Sequence, residues 1–274
     1  MVERPPSPNP RQPRWLFAVL IALVPTLARA DLTLLVQPSS NEEHIRASFS
    51  PLAAYLSKVT GQRIKLETPP NYFTFWQWLT EKKIPDIVIE SASFVDLDLD
   101  RGYRFLARST QASGLALIVR ANSKAKTAAD LTGQPIACAD FPSTESVALA
   151  AIFDNPIRAP RIVDTREPMD RIDRLVHHEV AAAVVPVTAV IHNGKLDPRV
   201  RALLVTPPTP GKAILAAPTI PQSVVEQLRV ALVNGFSTPE GAHAILATGL
   251  SPLSPSGIDL YAAQGRALRY YLRQ

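Results

Sequence analysis

The sequence predicts an α/β protein whose mostly parallel sheets are flanked by helices, and the order of its segments carries this prediction. Short runs rich in leucine and β-branched residues alternate with longer segments whose apolar residues recur at helical spacing. Residues 31–93 follow the order strand, helix, strand, helix, strand, which builds an open parallel sheet. Ligands of such sheets bind beyond the C-terminal strand ends, which the sequence places at 37–40, 68–72 and 90–93.

The elements of this first part follow from local patterns. The first strand, 31–38, is a nearly continuous apolar run, and the helix over 45–61 ends at a glycine, the residue type that most often stops a helix. A second strand over 62–69 leads to an aromatic-rich helix over 71–83. A third strand follows over 85–93.

The same alternation continues through the rest of the chain. A strand over 114–123 precedes a short helix and a strand within 127–140. Another helix and strand follow within 167–186, and two helical stretches are predicted over 221–236 and 238–249. The pattern thus extends to the C-terminal part of the chain.

Residues 1–30 have the organisation of a secretory signal peptide. A proline-rich leader with three arginines and one glutamate precedes an apolar segment, 15–28, that is short for a membrane span. Ala-Arg-Ala at 28–30 fits a small-residue cleavage site, so we expect cleavage after Ala30 and a mature periplasmic chain that begins at Asp31. An uncleaved membrane anchor is the alternative interpretation.

Composition narrows the class of protein. Residues 1–30 carry four arginines and one glutamate, so the formal charge falls from +5 for the full chain to +2 for the mature one. So small a charge gives no support to nucleic-acid binding, which requires a concentrated basic surface. The one cysteine, Cys138, excludes an intrachain disulfide, so stability must come from an ordinary packed core.

Three hydroxyl residues precede an alanine-rich apolar run in the segment ACADFPSTESVALAAIF; they are Ser143, Thr144 and Ser146. A serine or threonine at such a place indicates a helix N-terminus, because its oxygen can accept a hydrogen bond from a free backbone N–H group. The free N–H groups and the positive dipole end of a helix also bind anions, and neighbouring hydroxyls can complete such a site. The residues alone leave capping and anion binding both open.

Five segments occur in the same order as in the substrate-binding proteins of phosphonate, phosphate and phosphite ABC transporters. They are SPLAAYLSKVTGQRIKLE, PDIVIESASFV, LIVRANSKAKTAADLTGQPIACADFPSTES, TPPTPGKAIL and FSTPEGAHAILATGL. The chain resembles this family of type II periplasmic binding proteins over nearly all of its mature length. The resemblance implies two α/β lobes, 31–115 with 211–274 and 116–207, joined by hinge crossings near 112–118 and 205–213 and closing on an anion.

The resemblance also implies the residues of the ligand site. The family's phosphonate cradle is a Ser-Thr-x-Ser sequence that opens a helix of the second lobe, and positions 143–146 match it. Tyr72 and the loop 91–94 are implied for the facing wall. Arg166 either supplies a positive charge or is a solvated loop arginine. The candidate ligand-binding residues are Ser143, Thr144, Ser146, Tyr72, Ser91, Ser93, Phe94, Gln37 and Arg166.

Several positions depart from the family pattern, and these differences bear on which ligand the protein binds. The wall loop reads Glu-Ser-Ala-Ser-Phe over 90–94 where the family has Gly-Pro-x-Ser-Tyr, and TREPMD replaces a family histidine. Val185 or Pro186 stands where phosphonate binders carry an aspartate that neutralises the ligand's amine. Because an unpaired buried amine is costly, phosphate, phosphite, another small oxyanion or an uncharged oxyacid is favoured over an aminophosphonate. Glu145 repels a dianion if its side chain points inward, whereas an outward side chain acts in capping.

The predicted function is that of a periplasmic solute-binding protein that captures a small oxyanion and presents it to an inner-membrane ABC permease. Two alternatives are a sensor of arsenite or another oxyanion that acts on a membrane sensor kinase, with Cys138 as the candidate arsenite ligand, and a protein adaptor with a degenerate cleft. An enzyme is not expected, because Gly-x-Ser-x-Gly, Walker and His-Glu-x-x-His motifs are missing from the sequence. No cofactor, metal site or nucleic-acid partner is expected, and we expect a monomer.

Overall fold

The computed structural model describes residues 1–3, 31–82, 84–153, 159–192 and 194–272. The predicted apolar segment of the signal peptide and its cleavage site lie outside the described residues. Within the described ranges, no helix combines the length and the apolar character that a membrane crossing requires.

Strands and helices alternate along most of the described chain. The strands are β1 (Leu32–Val36), β2 (Ile64–Glu67), β3 (Ile87–Glu90), β4 (Arg104–Ser109), β5 (Leu115–Arg120), β6 (Pro135–Cys138), β7 (Arg161–Asp164), β8 (Ala182–Pro186), β9 (Ile191–His192), β10 (Lys195–Leu196), β11 (Val200–Val205), β12 (Ala213–Ala216) and β13 (Leu253–Ser254). The α-helices are α1 (Glu42–Thr60), α2 (Tyr72–Gln77), α3 (Ala92–Asp100), α4 (Thr144–Ile152), α5 (Pro168–Val176), α6 (Gln222–Asn234), α7 (Pro239–Ala247) and α8 (Arg266–Leu272). This order confirms the predicted α/β class.

Helix α1 shows how the local sequence sets the bounds of an element. It begins at Asn41, whose side chain accepts a hydrogen bond from the backbone N–H of His44, and it ends at Gly61, which adopts a φ of 64°. An asparagine cap and a left-handed glycine are the signals that favour these two ends. The helix packs against the sheet through a face that includes Ile45, Phe49, Leu52 and Leu56.

The predicted aromatic-rich helix over 71–83 is two pieces in the structure. Helix α2 begins after Asn71, which caps it by accepting the N–H of Thr74, and the chain then continues as a π-helical turn over Trp78–Lys82. Phe75 is fully buried and fixes the helix against the core.

The first sheet has the strand order β13-β4-β12-β3-β1-β2. Strand β1 pairs in parallel with β2 and β3, with Leu34 opposite Leu66 and Ile87. Strand β12 pairs antiparallel with β3 and β4, and β13 pairs antiparallel with β4. The sheet is therefore mixed rather than mostly parallel, because the chain returns to it from the second sheet in the opposite direction.

The second sheet has the strand order β11-β5-β8-β6-β7 and is also mixed, because β5, its first strand along the chain, runs opposite to the other four. Strand β6 pairs in parallel with β7 and β8, whereas β5 pairs antiparallel with β8 and β11. Two apolar clusters, around Ile118 with Ile172 and around Leu117 with Leu149, cover its two faces. Strands β9 and β10 form a separate short antiparallel ribbon. We call the parts of the chain built on the first and second sheets the first and second lobes.

The chain passes between the lobes twice, from β4 to β5 and from β11 to β12, and these two crossings touch. Ser113 and Thr209 exchange backbone hydrogen bonds of 3.2 and 3.1 Å. A Cβ atom on Gly114 would lie 2.6 Å from the carbonyl oxygen of Thr206, so this close approach requires glycine. Paired crossings of this kind form a hinge of two adjacent segments.

Candidate functional site

A cavity of about 360 Å³ lies between the lobes, beside the two crossings. Its volume falls within the range of small-molecule binding sites. All three predicted strand ends contribute to it, through Gln37 and Ser39, through Tyr72 and through Ser91. The second lobe contributes Thr144 and the neighbouring Glu145 from the start of α4, and both crossings and the loop before β13 complete the lining. The cavity therefore lies where a doubly wound sheet would place a ligand.

Lys212, in the second crossing, provides a positive charge to this cavity. Its Nζ donates a hydrogen bond of 2.6 Å to Ser39 Oγ, and among the described residues no carboxylate forms an ion pair with it. Burial lowers the pKa of Lys212 to about 8, and the negative charge of Glu145 opposes this shift. A half-buried ammonium without a paired carboxylate is suited to receive an anion.

Glu145 faces the cavity, which resolves the two orientations that the sequence left open. Its Oε1 lies 3.4 Å from a guanidinium nitrogen of Arg171, whose side chain is only 2% exposed. The same guanidinium donates to the carbonyl oxygens of Thr165, Val184 and Arg166 at 2.6, 2.9 and 2.7 Å. Arg171 thus holds the carboxylate at the cavity wall and balances its charge.

The hydroxyl cluster divides between capping and the cavity. Ser143 is the N-cap of α4, since its Oγ accepts the N–H of Ser146 at 3.0 Å, and it is fully buried. The hydroxyl of Ser146 donates inside the same turn, to the carbonyl oxygen of Ser143 at 3.0 Å. Thr144 alone of the three lines the cavity. Capping therefore accounts for Ser143 and Ser146.

Hydroxyl groups of the two lobes meet at Thr144. Its Oγ1 lies 2.8 Å from Ser91 Oγ and 3.1 Å from Ser93 Oγ. Gln37 fixes Ser91 from behind, because its Oε1 accepts the N–H of Ser91 at 2.7 Å and its Nε2 donates to Ser91 Oγ at 3.1 Å. The structure thus brings four of the predicted site residues together across the cleft.

Tyr72 lies on the first-lobe wall of the cavity. Its backbone N–H donates to Asp140 Oδ2 of the second lobe at 3.0 Å, and its phenol oxygen has no hydrogen-bond partner among the described residues. Burial raises the pKa of Tyr72 far above its usual range, and the negative charge of Glu145 adds to the shift. The phenol therefore stays neutral and can donate a hydrogen bond to a ligand.

Phe94 and Arg166 lie outside the cavity lining. Phe94 is fully buried and packs edge-on against Phe75, with ring centroids 5.3 Å apart. Arg166 donates to the carbonyl oxygen of Pro70 in the other lobe. Beside it, Glu167 accepts the backbone N–H of Asn41 at 2.6 Å. Arg166 and Glu167 thus connect the rims of the two lobes, whereas Lys212 places a positive charge in the cavity lining.

Cys138 lies in the middle of the second lobe, at the end of β6. Its side chain is fully buried, and burial raises the pKa of its thiol. Among the described residues, no cluster of three or more histidine, cysteine, aspartate or glutamate side chains could hold a metal ion.

Lys212 and Arg171 were not predicted as site residues from the sequence. Lys212 follows Pro-Gly in a segment that was interpreted only as a connection, although a lysine directly before the apolar strand Ala213–Ala216 is a usable signal. Arg171 is one of several charged residues in a strongly amphipathic helix, and nothing in its local pattern distinguishes it. Both matter here because they set the charge of the cavity.

The N-cap role of Ser143 can be tested by substitution. Ser143→Ala removes the side-chain oxygen that accepts the N–H of Ser146, so we expect the free energy of unfolding to fall by about 1 kcal/mol. The melting temperature should drop by roughly 2–4 °C. Thermal unfolding followed by circular dichroism measures this change, and Ser223→Ala at an exposed serine is the control. Equal melting temperatures for the two variants would contradict the cap.

Comparisons with known proteins identify the family. The family model described as "ABC transporter, phosphonate, periplasmic substrate-binding protein" matches residues 34–261. A search of curated protein sequences gave no match.

Three solved structures illustrate the similarity of fold. XAC2383 from Xanthomonas citri bound to chloride ion is 16% identical with a TM-score of 0.72, over 88% of this chain and 99% of that one. PhnD1 from Prochlorococcus marinus in complex with methylphosphonate is 12% identical with a TM-score of 0.71, over 89% and 98%. A binding protein component of an ABC phosphonate transporter from Pseudomonas aeruginosa, PA3383, is 15% identical with a TM-score of 0.69, over 87% and 84%.

The match of the family model covers most of the chain, and the two phosphonate-binding structures match its fold over 87% and 89% of its length. The family is one of solute-binding proteins of the periplasm that serve ABC permeases. The chain therefore belongs to the phosphonate ABC-transporter periplasmic substrate-binding proteins and has their two-lobed, type II fold.

Proposed function

We propose that this protein captures a small oxyanion between its lobes and presents it to an inner-membrane ABC permease. The observation that carries the proposal is the position of Lys212, whose ammonium group lines the interlobe cavity without a carboxylate partner among the described residues. Tyr72 and Thr144 add hydroxyl groups from either lobe. A cation with convergent neutral donors is a typical arrangement for binding an oxyanion.

The mechanism of presentation follows from the hinge. In this proposal the lobes comprise 31–115 with 211–274 and 116–207, and a bound anion contacts both of them. The bound anion therefore stabilises the closed arrangement of the lobes, and the permease recognises the outer surface of that closed form. The mature protein acts as a monomer after cleavage behind Ala30.

The sensing and adaptor alternatives draw no comparable support. Arsenite sensing through a thiol requires Cys138 to be accessible, whereas this side chain is fully buried and does not line the cavity. A degenerate cleft would not require an unpaired ammonium group inside it. Capture of an oxyanion in the cleft is therefore the function that the geometry favours over thiol-based sensing and over a degenerate cleft.

The test is a thermal-shift screen of the protein exported to and purified from the periplasm of an expression host. The panel comprises phosphate, phosphite, methylphosphonate, methanesulfonate, sulfate and arsenite. An anion present at 100 times its Kd adds about 2.7 kcal/mol of stability, which raises the melting temperature measurably. We expect at least one oxyanion to do so, both in the wild type and in Cys138→Ala. No response to any of the panel, or a response to arsenite that Cys138→Ala abolishes, would contradict the proposal.

A further inference from the structure

The charges around the cavity restrict the class of anion that it accepts. Lys212 and Glu145 are the charged side chains in the described lining; Arg171 lies directly behind Glu145, and Asp140 lies behind Tyr72 and accepts its backbone N–H. Arg171 is paired with Glu145, so the positive charge that faces a ligand without a carboxylate partner among the described residues is that of Lys212. A singly charged anion neutralises Lys212, whereas a doubly charged one leaves an excess negative charge in a partly desolvated space beside Glu145.

Glu145 is held at the cavity wall and cannot easily leave it. It is the second residue of α4, and its side chain is 13% exposed against a guanidinium that is 2% exposed. Arg171 is in turn anchored by three backbone carbonyl oxygens, those of Thr165, Val184 and Arg166. The carboxylate therefore stays beside any ligand that contacts Thr144, and like charges at such short range repel strongly.

The rest of the lining indicates an organic substituent on the ligand. Apolar atoms of Leu115, Leu250, Pro186 and Pro210 face the cavity, and they come from both lobes and the second crossing. The volume of about 360 Å³ leaves room for more than a bare oxyanion. Burial of a small apolar group against these residues would add to the affinity.

We infer that the cleft selects singly charged organic oxyanions, such as sulfonates or phosphonate monoesters, and that Glu145 is the residue that excludes doubly charged ones. This inference rests on the proposed function and specifies its ligand. Lys212 attracts every anion, whatever its charge. Glu145 repels doubly charged anions more strongly than singly charged ones and so lowers their affinity relative to that of singly charged anions.

Methanesulfonate and sulfate are a matched pair of probes, because a methyl group in one replaces a charged oxygen in the other. Isothermal titration calorimetry at pH 7 should show methanesulfonate binding to the wild type at least about tenfold more tightly than sulfate. In Glu145→Gln the ratio of the two dissociation constants should fall by at least about tenfold, mostly through tighter sulfate binding. Asp170→Asn, at an exposed carboxylate of the same lobe, is the control and should leave the ratio unchanged.

A second measurement needs only the wild type, in case Glu145→Gln leaves Arg171 unpaired and unstable. Methylphosphonate loses its second proton as the pH rises through neutrality, whereas its monomethyl ester stays singly charged. Between pH 6 and pH 7.5 we expect the affinity for methylphosphonate to fall relative to that for the ester.

The outcomes separate this inference from the proposed function. If sulfate binds as tightly as methanesulfonate, or if the ratio is the same in Glu145→Gln and the wild type, the role of Glu145 is wrong while oxyanion binding stands. A constant ratio of methylphosphonate to ester affinity would likewise overturn the selectivity alone. If none of these anions binds, the proposed function fails and the inference fails with it.

Discussion

Replacing Lys212 with methionine is expected to weaken the binding of every oxyanion by at least about 100-fold, because it leaves the buried ligand charge without a partner. Methionine matches the length of the lysine stem, so the shape of the cavity should change little. Calorimetric titration with methanesulfonate measures the loss. Lys65→Met, at an exposed lysine of β2, is the control and should bind like the wild type.

The same variant separates binding from folding. Burial lowers the pKa of Lys212 to about 8, below that of an unfolded lysine, which means that its charge opposes folding at neutral pH. Lys212→Met should therefore unfold at the same temperature as the wild type or at a higher one. Full anion affinity in this variant would contradict the central role of Lys212.

The lowered pKa also predicts the pH dependence of binding. A ligand of constant charge, such as methanesulfonate, binds the ammonium form, which predominates below a pH of about 8 in the free protein. Above that pH, binding must take up a proton, so the affinity should fall and approach a tenfold loss per pH unit. Tyr72, whose pKa is raised far above its usual range, stays neutral over this range and does not reverse the trend. Constant affinity from pH 7 to pH 10 would contradict it.

The local patterns of the sequence were sufficient for many elements of the fold but not for strands such as β4 and β13, nor for the directions of all strands. The end of α1 at Gly61 and the start of α4 at Ser143 follow from residue types whose preferences act over three or four positions. The antiparallel placement of Ala213–Ala216 against β3 depends instead on a chain that leaves the first lobe and returns more than 100 residues later. Nothing near that strand encodes its direction.

The contrast between local patterns and contacts of large sequence separation also explains which site residues were predicted. Thr144, Ser91, Gln37 and Tyr72 lie at strand ends or helix starts, where a general rule for α/β sheets places ligand groups. The hydrogen bond from Lys212 to Ser39 joins residues 173 positions apart, and it exists because the second crossing passes the end of β1. A lysine before an apolar strand can be singled out in the sequence, but its contact with Ser39 and the cavity cannot be predicted from its neighbours.

Glu90→Gln is expected to stabilise the protein, and to do so increasingly as the pH rises. Glu90 ends β3 in the middle of the first sheet, is fully buried, and has no hydrogen-bond partner for either carboxyl oxygen among the described residues. Burial raises its pKa well above the usual range, and the charge of Asp98 raises it further. Asp98 itself, ion-paired to Arg101 at 2.9 Å, has its pKa raised by burial to about 6.

The direction of the pH effect follows from these raised values. A carboxyl group whose pKa is higher in the folded state than in the unfolded state favours folding most at low pH, below its unfolded pKa of about 4.5. That contribution is lost as the pH rises, by about 1.4 kcal/mol for each pH unit until the folded pKa is reached. Glutamine has the same size and cannot ionise, so the variant does not lose this stability as the pH rises.

Thermal unfolding of the wild type and of Glu90→Gln should therefore give similar melting temperatures near pH 4.5 and diverging ones above it. At pH 8 the variant should be more stable by at least about 2 kcal/mol, or roughly 4–8 °C in melting temperature. Glu43→Gln changes an exposed glutamate and should follow the wild type at every pH. A constant difference between Glu90→Gln and the wild type from pH 4.5 to pH 8 would mean that Glu90 titrates alike in the folded and unfolded states, and it would contradict the raised pKa, because only a group that titrates differently in the two states makes stability depend on pH.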